Sequence, residues 1–319
     1  MINKGIIIVA TQGYSNRMRM ISCGDMLCKY LTTNLFICWV NTPECNIQLI
    51  NIFKNKFNEI KYDDLPSLNY LYFGRVHTET IINNIIELYY DTSKTYDYII
   101  LEGGHEFKLP CISLNDFIKN KHLFYNSLIY SDIIQEKVDK FKKKYNMNNT
   151  IGVHYREVIN EFDGNDLSNN YVINFSKNSP FEKYSSIIKK LKNYDYILLI
   201  SNDSNIKDRF KLLSDKIIFT EPGGFNRNNT DNMIDSIVDN ILLSQTNMII
   251  GTFFSSFSDE ATYYKLIPKI IPLSDEIINK LNNNCLLYND TNYHCYNFSY
   301  YNNYGYLNKN DDIINYLDL

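Results

Sequence analysis

Ile151-Gly152-Val153-His154-Tyr155-Arg156 is the stretch on which the reading of this chain turns. It is a short apolar run that ends abruptly in a histidine and, two positions on, an arginine. Alternate residues of a strand point to one side, so His154 and Arg156 are expected to share a face at the strand's carboxyl end. In open α/β sheets that end is where ligands bind. A guanidinium there suits a phosphate, because its planar fork donates two charge-assisted hydrogen bonds at once. The other use of such an arginine is a surface ion pair, and the flanking sequence has to decide between them.

Outward from this strand the chain alternates. Strands are expected at 151–156, 195–201, 216–219, 247–252 and 268–272, and helices at about 180–193, 204–213, 230–246 and 255–266. Such alternation predicts a parallel sheet covered on both faces. Pro180 falls in the first turn of a helix, where its missing N–H does no harm.

Upstream, Ile6 to Ala10 reads as a buried strand, followed by a helix to about Tyr30 with Ser15 as its N-cap. A strand from Asn34 to Val40, a short helix around Gln48 to Phe57, a helix from Thr80 to Tyr90 and a strand from Tyr98 to Leu101 come next. Ser131 is read as the cap of a helix to Tyr145, whose Lys140, Lys142, Lys143 and Lys144 suit the negative end of the helix dipole. The polar connector from Met147 to Thr150 then marks a boundary. A first domain is expected at 1–147, a second at 148–275, and a Tyr- and Asn-rich tail at 276–319.

Bulk properties are consistent with this. A chain of 319 residues can bury two cores, and 45% hydrophobic with 21% charged residues is a globular composition. A net charge of -4 argues against a nucleic-acid partner. The seven cysteines are odd in number and lack Cys-x-x-Cys spacing, which signals neither a zinc site nor a disulfide framework. Gly5 to Ala10 is too short for the core of a signal peptide, and no run approaches the length of a membrane span. The expectation is a cytoplasmic or otherwise soluble protein in a reducing compartment.

Three strand ends of the second half carry polar residues: His154 with Arg156; Ser201-Asn202-Asp203; and Gly251-Thr252 with Ser255-Ser256-Phe257-Ser258. In a parallel sheet all three open on one edge. Hydroxyl residues at a helix start, with free backbone N–H groups, suit an anion. Asp239 lies one turn beyond Asp235 and two beyond Asp231, yet Leu242, Leu243 and Met248 around it read as buried. The loop from Gln12 to Arg17 has one glycine, Gly13, rather than the three of a dinucleotide fingerprint. Phe162 to Asp166 reads as a turn and not a calcium loop.

Together these residues resemble the fucosyltransferase superfamily that includes the α1,6-, nodulation and protein O-fucosyltransferases. Gly13-Tyr14-Ser15-Asn16-Arg17 is similar to its amino-terminal Gly-x-x-Asn-Arg/Gln loop, and the 151–156 strand to its His-x-Arg motif. Leu199 to Asp203 resembles its strand ending in Thr/Ser-Asp/Asn-Asp. Asp239 through Gln245, followed by Thr252 and Ser255 to Ser258, resembles its last motif. The resemblance implies an α/β, GT-B-like architecture, two Rossmann-like domains facing a cleft, with parallel sheets covered by helices. It also implies roles. Arg156 would bind the diphosphate and stabilise the departing GDP. His154 would contact the nucleotide; Ser201, Asn202, Asp203 and Asp239 would belong to the donor site. Thr252, Ser255, Ser256 and Phe257 would hold the phosphates, while Gly13, Asn16 and Arg17 would act from the first domain. Glu157 stands where several relatives have a second arginine, and Ile159 where they have an aspartate. Glu157, Asp163 and Glu102 are the acidic residues near strand ends that could serve as general base, with Glu157 put first.

The implied activity is inverting, metal-independent transfer of fucose from GDP-fucose to a hydroxyl of a glycan or protein, with no other cofactor. Two alternatives stay open. One is a transferase of the same fold that uses another nucleotide sugar; the other is a catalytically silent nucleotide- or sugar-binding module.

Overall fold

The computed structural model describes residues 2–55, 57–74, 79–91, 93, 95–157, 175–221, 223–253 and 255–274. Ile159, the 162–166 turn with Asp163, and the tail from 276 lie outside these. The described chain forms two compact units. One is the chain up to Ile134 together with Asn226–Ile234; the other is Gln135–Phe225 and the chain from Asp235 on.

The first unit is built on β1 (Ile2–Ala10), α1 (Tyr14–Leu31), β2 (Asn34–Trp39), α2 (Leu49–Ile52), β3 (Tyr70–Gly74), α3 (Glu79–Tyr90), β4 (Tyr96–Glu102) and α4 (Leu114–Asn126), with α5 (Asp132–Lys144) beginning in it. Its sheet has the order β2-β1-β4-β3, and every pairing is parallel. A run of β-branched residues can be buried on both faces only inside such a sheet, and Ile6, Ile7 and Ile8 are wholly buried. Helix α1 packs so closely on this strand that a Cβ at Gly24 would lie 2.6 Å from the Ile8 side chain.

The start of α1 differs from expectation. Gly13, in extended conformation, takes the cap position and its carbonyl accepts the Arg17 N–H at 3.1 Å. Ser15 is therefore inside the first turn, and buried. The helix expected over 48–57 shrinks to α2, because Phe53 leaves it to bridge to Tyr130. Ser131 immediately precedes α5, at the expected cap position, and its hydroxyl donates to the Asn51 carbonyl at 2.8 Å.

The second unit contains β5 (Thr150–Tyr155), α6 (Phe175–Asn178), α7 (Phe181–Ile188), β6 (Tyr196–Ser201), α8 (Ser204–Lys211), β7 (Ile217–Ile218), α9 (Thr230–Leu243, which begins in the first unit), β8 (Met248–Ile250), α10 (Ser256–Thr262) and β9 (Lys269–Ile270). Here the order is β7-β6-β5-β8-β9, again parallel throughout. Every expected strand and helix of this half is present, most of them shorter than expected. β5 is central and buried along its whole length. Gly152 is required there, since a Cβ would stand 2.6 Å from Leu243 and 2.8 Å from Thr246. Beneath the sheet, Tyr155, Tyr184, Phe181 and Phe210 pack edge to face. From β5 the chain runs outward to β6 and β7, then returns to the other side for β8 and β9. Strand order therefore reverses between β5 and β8, and the crevice outside such a switch point is the binding place of doubly wound sheets.

Candidate functional site

The ends of β5 and β8 are tied together by two side chains. Thr252 donates its hydroxyl to the His154 carbonyl (2.7 Å) and accepts the Arg156 N–H (3.0 Å). The Tyr184 hydroxyl lies 3.0 Å from the His154 and Gly251 carbonyls and from Thr252 Oγ1. Tyr184 is fully buried and its acidity is strongly suppressed by burial. Thr252 is thus a brace of the strand ends, with its hydroxyl already engaged.

On this fixed edge His154 stacks on Phe257, ring centroids 4.9 Å apart at 26°. Burial first, then the charges of Arg156 and Lys269, hold its pKa well below the ordinary 6.5, so the imidazole is neutral. Its Nδ1 is buried without a hydrogen-bond partner. So is the hydroxyl of Ser255, the residue that precedes α10. Nine in ten buried polar atoms have partners in folded proteins; two that lack them, both adjoining Phe257, suit a polar ligand. Arg156 is half-buried beside them, and Ser256 is half-buried in the first turn of α10.

The neighbouring strand supports the same edge. Asn202 holds the backbone of Glu157 with both ends of its amide, accepting its N–H at 3.1 Å and donating to its carbonyl at 3.0 Å. Ser201 accepts the Asp203 N–H at 3.1 Å, and Asp203 caps α8 through the Asn205 N–H at 2.8 Å. The Glu157 carboxyl is raised above the usual carboxylate range by burial and then by a hydrogen bond with Asp203. Beyond β7, Thr220 donates to Asp239 at 2.6 Å. Burial pushes the Asp239 carboxyl up to about 7, against the opposing pull of Thr220 and Lys207.

In the first unit, Asn16 donates to the Gln12 side chain at 2.9 Å. Arg17 is fully buried, stacked 4.5 Å from the Trp39 ring, and donates to the Gln12 carbonyl, to Thr42 (3.1 Å) and to the Cys45 carbonyl (3.4 Å). Desolvation lowers its pKa. Its Nε and Nη2 tie together the loops of its own unit, while Nη1 is buried without a hydrogen-bond partner. Around Gly13 there is room, with no heavy atom nearer than 4.0 Å to a Cβ built there. Glu102 accepts a hydrogen bond from the Tyr72 hydroxyl at 2.6 Å.

Sequence reasoning missed Tyr184 and Lys269. Neither carries a local signal: one is a tyrosine in a short helix, the other a lysine at the start of an edge strand. Only the topology brings them under the site.

Two parallel, helix-covered sheets with a ligand-type edge at a switch point define a GT-B-like α/β protein. The particular fold is that of the fucosyltransferases. The structure superposes on NodZ α-1,6-fucosyltransferase from Bradyrhizobium, co-crystallised with GDP, with a TM-score of 0.56, 13% identity, and coverage of 84% of this chain and 94% of that one. Arabidopsis thaliana FUT1 in complex with GDP matches with a TM-score of 0.54 and 12% identity, over 84% of this chain and 70% of that one. POFUT1 in complex with GDP-fucose matches with a TM-score of 0.52 and 11% identity, over 85% and 98%. No protein-family model matches the chain. In sequence it is 26% identical over 199 residues to the non-toxic nonhemagglutinin type E of Clostridium botulinum, covering 56% of this chain. The match spans 16% of that relative's length. Among the described residues no helix is long and apolar enough to cross a membrane.

Proposed function

We propose that this chain is a glycosyltransferase that moves fucose from GDP-fucose to a hydroxyl of a glycan or protein, with inversion and without a metal. The carrying observation is the pair of buried, unpartnered polar atoms, His154 Nδ1 and Ser255 Oγ, beside Arg156 at the switch point of the second sheet. In this reading residues 148–275 hold the donor and 1–147 serve the acceptor. Arg156 neutralises the charge that builds on the diphosphate as the bond from sugar to phosphate breaks. Ser255 and His154 donate to phosphate or ribose oxygens, Ser256 lies alongside, and Phe257 holds the imidazole flat. The free oxygen of Asp239 accepts from the N–H groups on one edge of guanine, an edge that uracil lacks. Glu157 takes the proton of the attacking hydroxyl, and its raised pKa makes it a stronger base than an ordinary carboxylate.

Calorimetry with GDP, UDP and GDP-fucose, without added metal, tests this. GDP is expected to bind, and Arg156→Ala to weaken it at least tenfold, about 1.4 kcal/mol. Absence of any nucleotide binding, or equal binding by the variant, would sink the reading. The pH profile of GDP release from GDP-fucose, with water as acceptor, tests the base. Asp203 raises the Glu157 pKa, so Asp203→Asn is expected to lower it and to move the acid limb of the profile to lower pH. An unmoved limb would remove Glu157 from the role.

One observation favours the second reading, binding without turnover. Glu157, the residue after Arg156, sets its carboxyl beside that of Asp203, and two acidic groups at this strand end weaken the positive field that a leaving diphosphate needs. GDP binding with no GDP release from GDP-fucose would decide for it.

A further inference from the structure

Strand β3 is the edge of the first sheet, and it exposes aromatic rings where a soluble protein is expected to hide them. Tyr70 and Tyr72 pair in register with Tyr98 and Ile100 of β4, so they continue the sheet face that packs on Ile7, Val9, Cys38 and Leu65. On β4 those positions are buried; on β3 Tyr70 is 36% and Tyr72 51% exposed. Tyr62, from the 3-10 helix Tyr62–Ser67 on the same face, is 56% exposed.

The Tyr72 ring is held in place. Its hydroxyl donates to Glu102 at 2.6 Å, and its acidity is suppressed to about 12, first by that bond, with Tyr62 and Tyr70 near enough to contribute. A Cβ at Gly74 would come 3.1 Å from this hydroxyl and 3.2 Å from the ring. The missing side chain lets the phenol lie along the strand. A ring fixed at its far end loses little freedom when a ligand covers it.

We propose that Tyr72, Tyr70 and Tyr62 with the Glu102 carboxylate form a sugar platform that takes a neutral oligosaccharide, the acceptor of the transfer. This rests on the reading of the chain as a glycosyltransferase. The chemistry chooses the occupant. Pyranose C–H groups stack on ring faces, while hydroxyls donate to a carboxylate oxygen that fixes their orientation. Glu102 has a second oxygen for this, since Tyr72 is its only hydrogen-bond donor among the described residues. Glu59 and Glu102 both lie near Cys38, and Asp63 and Asp64 follow Tyr62; against them stand Lys61 before Tyr62 and Lys4 over the Tyr98 ring, so acidic groups outnumber basic ones here. That charge turns away phosphates, acidic polysaccharides and anionic membranes.

Saturation-transfer NMR with chitotetraose, cellotetraose and maltotetraose, on the full chain and its variants, tests the platform. At least one is expected to bind. Tyr72→Ala, a change at an exposed ring, is expected to weaken it about tenfold, and Glu102→Gln to weaken it less. Arg156→Ala is expected to leave it unchanged. No transfer to any of the three overturns the platform and gives the patch to a protein partner; equal binding by Tyr72→Ala overturns it too. GDP binding with no oligosaccharide binding leaves the donor reading standing. Oligosaccharide binding with no nucleotide binding supports the platform and sinks the transferase.

Discussion

Lys269→Met is expected to destabilise the folded chain by about 3–5 kcal/mol, the range for removing one partner of a buried ion pair. Lys269 and Asp259 are joined by a hydrogen-bonded ion pair whose side chains are 0% and 12% exposed. The lysine lies on β9 and crosses the backbone of Gly251, where a Cβ would meet its Cε at 2.3 Å. Methionine keeps most of the volume but takes the ammonium away from a carboxyl group that is nearly out of water. The pair itself need contribute little, because desolvation offsets the attraction. Lys269→Met with Asp259→Leu should therefore recover most of the loss. Urea unfolding midpoints of the two variants check this, provided the slopes agree. If Lys269→Met unfolds with the wild-type midpoint, the pair does not hold the sheet edge. The single variant also removes a positive charge that depresses the His154 pKa, so His154 should titrate at higher pH in it.

Much of the second sheet was legible because a central parallel strand is apolar on both faces and its neighbours repeat that signature. Thr150 to Tyr155 and Ile197 to Ile200 show it plainly. The polar residues ending those strands were legible as a group for the same reason. What each does was not. Thr252 and Asn202 fit a ligand-binding motif, yet their hydrogen bonds go to the backbone of β5 and the turn after it, partners far away in sequence. Arg17 belongs to the loop that the resemblance puts at the site, and its burial against Trp39 and the Thr42–Cys45 loop is set by partners that only the fold brings to it. Strand β3 could have been found: Tyr70-Leu71-Tyr72-Phe73 is a run of strand-favouring residues, although at the sheet edge none of them is fully buried. Helix α4 could have been found too. Ser113 and Asp116 form a reciprocal cap, with Ser113 Oγ accepting the Asp116 N–H at 3.1 Å and donating to its carboxylate at 2.6 Å, and Ser-x-x-Asp is a readable signal.

Asp239→Asn is expected to do two opposite things, stabilising the ligand-free protein above pH 7 and removing GDP binding. The buried Asp239 carboxyl titrates at about 7 instead of the ordinary 3.8. Between those values the folded state holds a proton that the unfolded state has released, so this group's contribution to stability is full below 3.8 and is lost as pH rises through about 7. At about 1.4 kcal/mol per pH unit, the charged form costs at most about 4 kcal/mol. Asparagine keeps the shape and the Thr220 bond without the charge, and the gain should appear in urea unfolding at about pH 8. His154 has the opposite sign. Its folded pKa is depressed, so its contribution is present above 6.5 and is lost as pH falls below it. In the wild type the two slopes oppose each other on the acid side of neutrality; in Asp239→Asn the His154 slope stands alone, and stability should fall more steeply there. A carboxylate retained at this cost, with one oxygen left over from Thr220, has a reason to be charged only when a donor covers it. The amide would turn an N–H toward guanine N–H groups, so GDP should neither bind nor raise the unfolding midpoint by mass action. If Asp239→Asn binds GDP as tightly as the wild type, the carboxylate does not read the base. If it is no more stable at high pH, burial is not what raises its pKa.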